Sequence, residues 1–228
     1  MTLSAELLSP IAGNSPTGVD LRYDPAYERI REARREDTVI ATSDDDPWKT
    51  KNPKVADWPL TIRLASEALA SRSKDLQVAV WLTEALLRQE GFSAFGDGLN
   101  LLIGLLDNFW EGLFPELEDG DAELRVAPLS WLALKLDLAV RSASIMPGGY
   151  CYLDYLEASQ LPGEAEAKED WGGEKQQLRE RALAEGKILP EQIEAATARA
   201  SKEWYRSLLA SVSGCLDSVR TLAERCDQ

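Results

Sequence analysis

The sequence predicts an all-α protein: an irregular multi-helix domain followed by a long C-terminal helical segment. Three observations carry this. Apolar residues recur at three- and four-residue steps through most of the chain, as in Leu76, Ala79, Val80, Thr83, Leu86 and Leu87, the spacing that collects them on one helix face. Capping residues, prolines and glycines punctuate these runs where helices should start and stop. No stretch alternates apolar and polar residues long enough to specify a strand.

Residues 1–23 carry prolines and glycines without helical period and read as an extended arm over the core. Asp24-Pro25 supplies a cap followed by proline at the first helical position, opening a short helix to about Arg35. Residues 36–56, with Asp44-Asp45-Asp46-Pro47 and Asn52-Pro53, are predicted to be a mobile loop. Asp57-Trp58-Pro59 opens a second helix with Ile62, Ala65 and Leu69 on one stripe. Asp75 caps a third that Gly91 stops, and Ser93 is the expected cap of a fourth running through Leu99, Leu102, Leu106 and Trp110 to Pro115. A polar loop precedes short helices at 122–126 and 128–142. The break at Pro147-Gly148-Gly149 is followed by residues 151–158, which mix helix and strand periods. Helices are predicted at about 174–185 and 190–226, with the domain boundary near 158 and a charged, Ala-rich extension over 159–228.

Composition excludes several function classes. The net charge of −14, from 39 acidic against 25 basic residues, argues against nucleic acid, whose phosphates need clustered Lys and Arg. No apolar run approaches the roughly 20 residues of a membrane span, and the N-terminus has no signal-peptide pattern, so a soluble cytoplasmic protein is expected. There is no histidine, which removes the commonest neutral-pH acid/base group and metal ligand. Cys151, Cys215 and Cys226 have no metal-type spacing and read as buried or incidental thiols. Asp44-Asp45-Asp46 and Asp119-Gly120-Asp121 lack the glycine and glutamate positions of a calcium loop. No catalytic, cofactor-binding or metal-binding residues are assigned.

The remaining candidates are for protein contact. Between Asp75 and Asp137, twelve acidic residues face three basic ones. This excess is either a solvated face or a docking surface for basic segments. On the docking reading, Phe114 and Pro115 form an apolar anchor beside the carboxylates of Glu116, Glu118, Asp119 and Asp121. Trp48, in the polar loop, and Trp171, between charged segments, are further candidates for external contact. Trp81, Trp110 and Trp131 lie within apolar helices and are expected in the core. Gly96, Gly104 and Gly112, eight residues apart, are expected where helices approach closely.

A longer pattern runs through these elements: Pro10-Ile11, Ser15-Pro16-Thr17-Gly18-Val19-Asp20, Asp57-Trp58-Pro59, Lys74-Asp75-Leu76-Gln77, Trp81-Leu82-Thr83-Glu84, Gly91-Phe92, Gly98-Leu99, Asn108-Phe109-Trp110, Phe114-Pro115 and Arg125. It resembles the N-terminal domain of the ImpA/TssA family of bacterial type VI secretion proteins, from about residue 8 to 158. Less sharply, Trp204-Tyr205 and the final helix resemble the segment leading out of that domain. The resemblance implies a cytoplasmic structural component without catalysis or cofactor that contacts the baseplate, the membrane complex, or the sheath and its inner tube. It also implies that the chain is part of a longer protein whose absent C-terminal region forms homo-oligomeric rings. A free-standing acidic all-α binding or regulatory domain is the alternative.

Overall fold

The computed structural model describes residues 5–37 and 53–227. The segment between, with Trp48 and most of the predicted loop, lies outside the described residues. A 3-10 turn at Ala5–Leu8 is followed by α1 (Pro25–Arg34), α2 (Trp58–Ser71), α3 (Leu76–Glu90), α4 (Phe92–Phe109), a second 3-10 turn at Trp110–Gly112, and α5 (Glu123–Ser142). Then come α6 (Tyr152–Ser159), α7 (Glu164–Lys168), α8 (Glu174–Ala184), α9 (Pro190–Arg199) and α10 (Lys202–Cys226). Outside helices, the β-type pairing among the described residues consists of isolated bridges, so the fold is all-α. The chain groups into two compact units, residues 1–134 with 214–228, and residues 135–213.

Local chemistry sets the helix starts in the first unit. Asp24, Asp57 and Asp75 each accept a main-chain N–H of the first turn, from Ala26, Leu60 and Val78 respectively, at 2.8, 2.9 and 3.0 Å. These bonds satisfy donors that have no partner inside the helix. Gly91, at φ +81°, ends α3 by donating to the carbonyls of Leu86 and Leu87, and also serves as the N-cap of α4. Ser93 therefore sits inside α4 instead of capping it, because one left-handed glycine turns the chain for both helices.

Helix α3 is the centre of this unit. Every residue from 78 to 87 is buried, because α1, α2 and α4 all pack against it. Burying each large aliphatic side chain there contributes about 1.5–3 kcal/mol. Helix α4 approaches through glycine: a Cβ on Gly98 would lie 2.9 Å from Thr83 Cγ2. Of the three spaced glycines, a Cβ on Gly104 would lie 2.8 Å from Leu8 and one on Gly112 2.8 Å from Thr17, close approaches by the 3-10 turn and the arm and not by another α-helix, whereas Gly96 is in ordinary contact with Cys215 at 3.5 Å. The C-terminal half of α10 lies along α4, where Cys215 Sγ donates to the Phe92 carbonyl at 3.1 Å and Arg225 Nε to Asp107 Oδ1 at 2.7 Å. Burial pushes the Cys215 thiol pKa up.

The second unit has a small apolar core of Met146, Ala158 and Ile193, with Ile145, Tyr150 and Ile188 against it. Arg179 is buried and donates to the Pro162 carbonyl at 2.8 Å and to Glu191 at 3.0 Å.

Three element assignments differ from the sequence reading, and one that it left open is resolved. The helices expected at 122–126 and 128–142 are one helix, α5, in which Pro128 forgoes a main-chain bond without ending the run. The ambiguous 151–158 segment is helical, with Asp154 accepting the Cys151 N–H at 2.8 Å. Helix α7 had not been expected. The single helix expected over 190–226 breaks at Ala200, whose ψ of 136° is extended, and Ser201 Oγ restarts it by accepting Trp204 N–H at 3.1 Å.

Candidate interaction surface

Two buried cations organise the region where the arm, the start of α3 and the end of α4 meet. Lys74 is fully buried and donates to the carbonyls of Leu7 at 2.8 Å and Leu69 at 2.7 Å, tying the N-terminal arm to the end of α2. Burial lowers its pKa. Arg125, 2% exposed, donates from Nε to the Pro115 carbonyl at 2.8 Å, and from its terminal nitrogens to the carbonyls of Trp110 at 2.5 Å and Leu113 at 2.6 Å. Its guanidinium lies 4.5 Å from the Trp110 ring centroid. Burial pushes its pKa down, and the nearby carboxylates of Glu111 and Glu116 oppose that. A third cation, Arg34, bonds Glu84 at 2.8 Å and has its guanidinium carbon 5.4 and 4.6 Å from the rings of Trp81 and Trp131.

The acidic loop is a tight turn. Glu118 and Asp121 exchange main-chain hydrogen bonds, while Asp119 and Gly120 take left-handed φ of +52° and +82°, the Asp-Gly arrangement of a two-residue hairpin turn. Asp121 Oδ1 then accepts the Glu123 N–H at 2.8 Å and starts α5. Glu116, Glu118, Asp119 and Asp121 are all exposed.

Phe114 is placed differently from the sequence expectation. Its N–H donates to the Lys74 carbonyl at 2.9 Å and its carbonyl accepts the Leu76 N–H at 2.8 Å, so the residue is drawn inward and is 6% exposed. Pro115 is half-buried. The ring that meets solvent here is Trp110, 39% exposed, although sequence periodicity had put it in the core with Trp81 and Trp131. Helix α4 ends at Phe109, and the 3-10 turn rotates Trp110 off the apolar stripe. Trp81 is buried, at 6% exposure, and Trp131 is half-buried. Trp171 is fully exposed in the other compact unit, between α7 and α8.

Asp75 is the buried carboxyl of the region. Burial raises its pKa to about 6, against the N–H groups of Val78 and Gln77, which favour the charged form. Between an unfolded value near 3.8 and that folded value, the folded state holds the proton more tightly. Its stabilising contribution is thus fully present below pH 3.8 and lost as pH rises through about 6. The shift corresponds to about 3 kcal/mol. Asp75→Asn keeps an acceptor for Val78 and cannot ionise. Its melting temperature relative to the parent, followed by circular dichroism, is expected to rise between about pH 4 and pH 6 and to level off above that; a gap that stays constant across this window would contradict the assignment.

Among the described residues, no three Cys, Asp or Glu side chains gather in a metal-binding cluster, and no helix is long and apolar enough to cross a membrane. An open depression between α1 and α2, about 350 Å³, is lined by Arg29, Glu32, Leu60 and Leu64 among others. What the geometry offers is therefore a braced surface: an exposed indole above a fixed guanidinium, with a carboxylate turn beside it.

Residues 8–134 match the family described as ImpA, N-terminal, type VI secretion system. The chain belongs to this family. Over 136 residues, 55% of the chain, it is 36% identical to the type VI secretion system component TssA1 of Pseudomonas aeruginosa, and it spans 36% of that protein's length. Its fold is similar over 99% of the chain to the solved N-terminal domain, including the conserved ImpA_N region, of the TssA component from Burkholderia cenocepacia. That likeness has a TM-score of 0.76 at 31% identity and covers 82% of the solved chain. The ImpA N-terminal match ends at residue 134, where the first segment of the first compact unit also ends. Arg125, Lys74 and the acidic turn all lie within it.

Proposed function

We propose that this chain is an assembly module of a bacterial type VI secretion apparatus, acting in the cytoplasm through protein contacts and without catalysis. Its partners are baseplate, sheath and tube, or membrane-complex proteins. Residues 1–158 form the ImpA/TssA-like docking part, and 159–228 form an extension leading towards a region that makes the intact protein homo-oligomeric. The observation that carries this reading is the family match joined to a fold likeness over 99% of the chain. The braced, exposed surface supports a docking role.

Deleting residues 8–134 from the encoding gene in its own bacterium tests the proposal. The expected result is loss of secretion-dependent killing of neighbouring cells and of sheath assembly seen by fluorescence, both restored by the intact gene. Unchanged sheath assembly would favour an acidic binding domain with no part in secretion.

A further inference from the structure

The Trp110 surface combines two properties that do not depend on each other. The first is rigidity. One face of the indole lies over Arg125, and the guanidinium is itself fixed by three carbonyls, including that of Trp110. An aromatic ring held in this way loses little freedom when something packs on its exposed part. The second is charge. Residues 111–123 hold six carboxylates and no Lys or Arg. Several acids elsewhere are paired, as Asp24 is with Arg72 and Asp107 with Arg225. Among the described residues, the cation near the turn is Arg125, which is buried and directed at carbonyls, so the exposed carboxylates keep their field.

We propose that the exposed part of Trp110, with Glu111 beside it in the chain and Glu116 and the acidic turn at 118–121 following, docks a cationic amphipathic segment of another protein. The segment lays an apolar side chain or the stem of a lysine or arginine on the indole and sets its positive heads among the carboxylates. Charge selects this occupant. A second copy of the chain carries −14 as well and is repelled, and phosphate-bearing ligands are repelled too. An indole face also attracts cations through its quadrupole, and Trp110 is 39% exposed. Most of the affinity comes from the apolar centre, while the carboxylates speed encounter and set orientation. The proposal rests on the docking role proposed above, but its test uses the isolated 228-residue chain.

The probes are synthetic peptides of about 18 residues: one with lysine and leucine at helical spacing, one with glutamate replacing lysine, and one with lysine but no leucine. Binding is measured by calorimetry at low and high salt. The lysine–leucine peptide is expected to bind, more weakly at high salt, and the other two to bind about tenfold less tightly or not at all. Combining Glu116→Gln, Glu118→Gln, Asp119→Asn and Asp121→Asn should weaken binding about tenfold and flatten the salt response. Amides keep the Asp121 acceptor for α5 and tolerate the left-handed φ at 119. Trp110→Ala should weaken binding about fivefold or more. If that variant melts early, the amide variant decides, since it changes no buried group. A control, Glu166→Gln, Glu169→Gln, Glu174→Gln and Glu180→Gln, makes the same change in net charge elsewhere and should leave binding within about twofold. Equal weakening by the control, or no binding of the lysine–leucine peptide, overturns the proposal. Either failure leaves the assembly role standing if the deletion still abolishes sheath assembly, whereas peptide binding without any effect of the deletion would sink that role alone.

Discussion

Arg125→Met is expected to lower the unfolding free energy by about 3–5 kcal/mol, a large part of a domain's total stability. Methionine keeps most of the stem volume but donates nothing. The carbonyls of Trp110, Leu113 and Pro115, which now accept at 2.5, 2.6 and 2.8 Å, lose their donors in a region where Leu113 and Phe114 are buried. Each unmade bond costs about 1–3 kcal/mol. Removing a buried charge recovers part of that, since its desolvation cost disappears as well. Arg125→Lys should recover less than half of the loss, because an ammonium cannot present the planar fork that meets three carbonyls at once. Urea unfolding with an unchanged m-value measures this. A loss under about 1.5 kcal/mol would mean that the three carbonyls find water instead.

Gly18→Ala should cost about 3 kcal/mol or more and release the N-terminal arm. Gly18 has φ +78°, where an L side chain costs about 1–2 kcal/mol. A Cβ there would lie 2.0 Å from the Arg72 carbonyl oxygen, 2.7 Å from its carbon and 2.9 Å from Ile11 Cδ1. The first two are backbone atoms, so no rotamer change relieves the contact. The arm would have to withdraw, breaking the bonds from Val19 N–H to the Arg72 carbonyl and from Lys74 N–H to the Thr17 carbonyl, at 3.1 and 2.8 Å. Amide exchange separates this from general unfolding. Val19 and Lys74 should lose protection while the amides of α3 keep theirs, and unchanged protection at both would show that the arm absorbs the substitution.

What was legible in the sequence was whatever depends on a few neighbouring residues. The caps at Asp24, Asp57 and Asp75 and the stop at Gly91 are short-range chemistry, and the structure has them where the residues stand. The family pattern was legible for the same reason, as fixed residues at fixed spacing. The break between α9 and α10 was hidden because apolar residues keep their three- and four-residue steps across Ala200 and Ser201. The local signal was Ser201 with Glu203 two residues later, a cap followed by an acid in the first turn. Within the candidate surface, the acidic turn could be read as polar and exposed. The exchange of places between Phe114 and Trp110 could not, because it depends on Phe114 pairing with Lys74 and Leu76, far along the chain. Burial of Lys74 and Arg125 was equally invisible: charged residues are mostly exposed unless partners compensate them, and their partners are carbonyls, which no sequence pattern marks.

The burial of α3 along all of residues 78–87 has a mechanical consequence. A helix with one wet face lets its neighbours peel away in turn, since each separation exposes a different apolar stripe. Here, detaching α1, α2 or α4 wets parts of the same stretch, and the free-energy cost is concentrated in one cooperative event. Under tension the first compact unit is expected to keep its full length up to a single threshold and then to yield as a whole, a brittle link and not a spring.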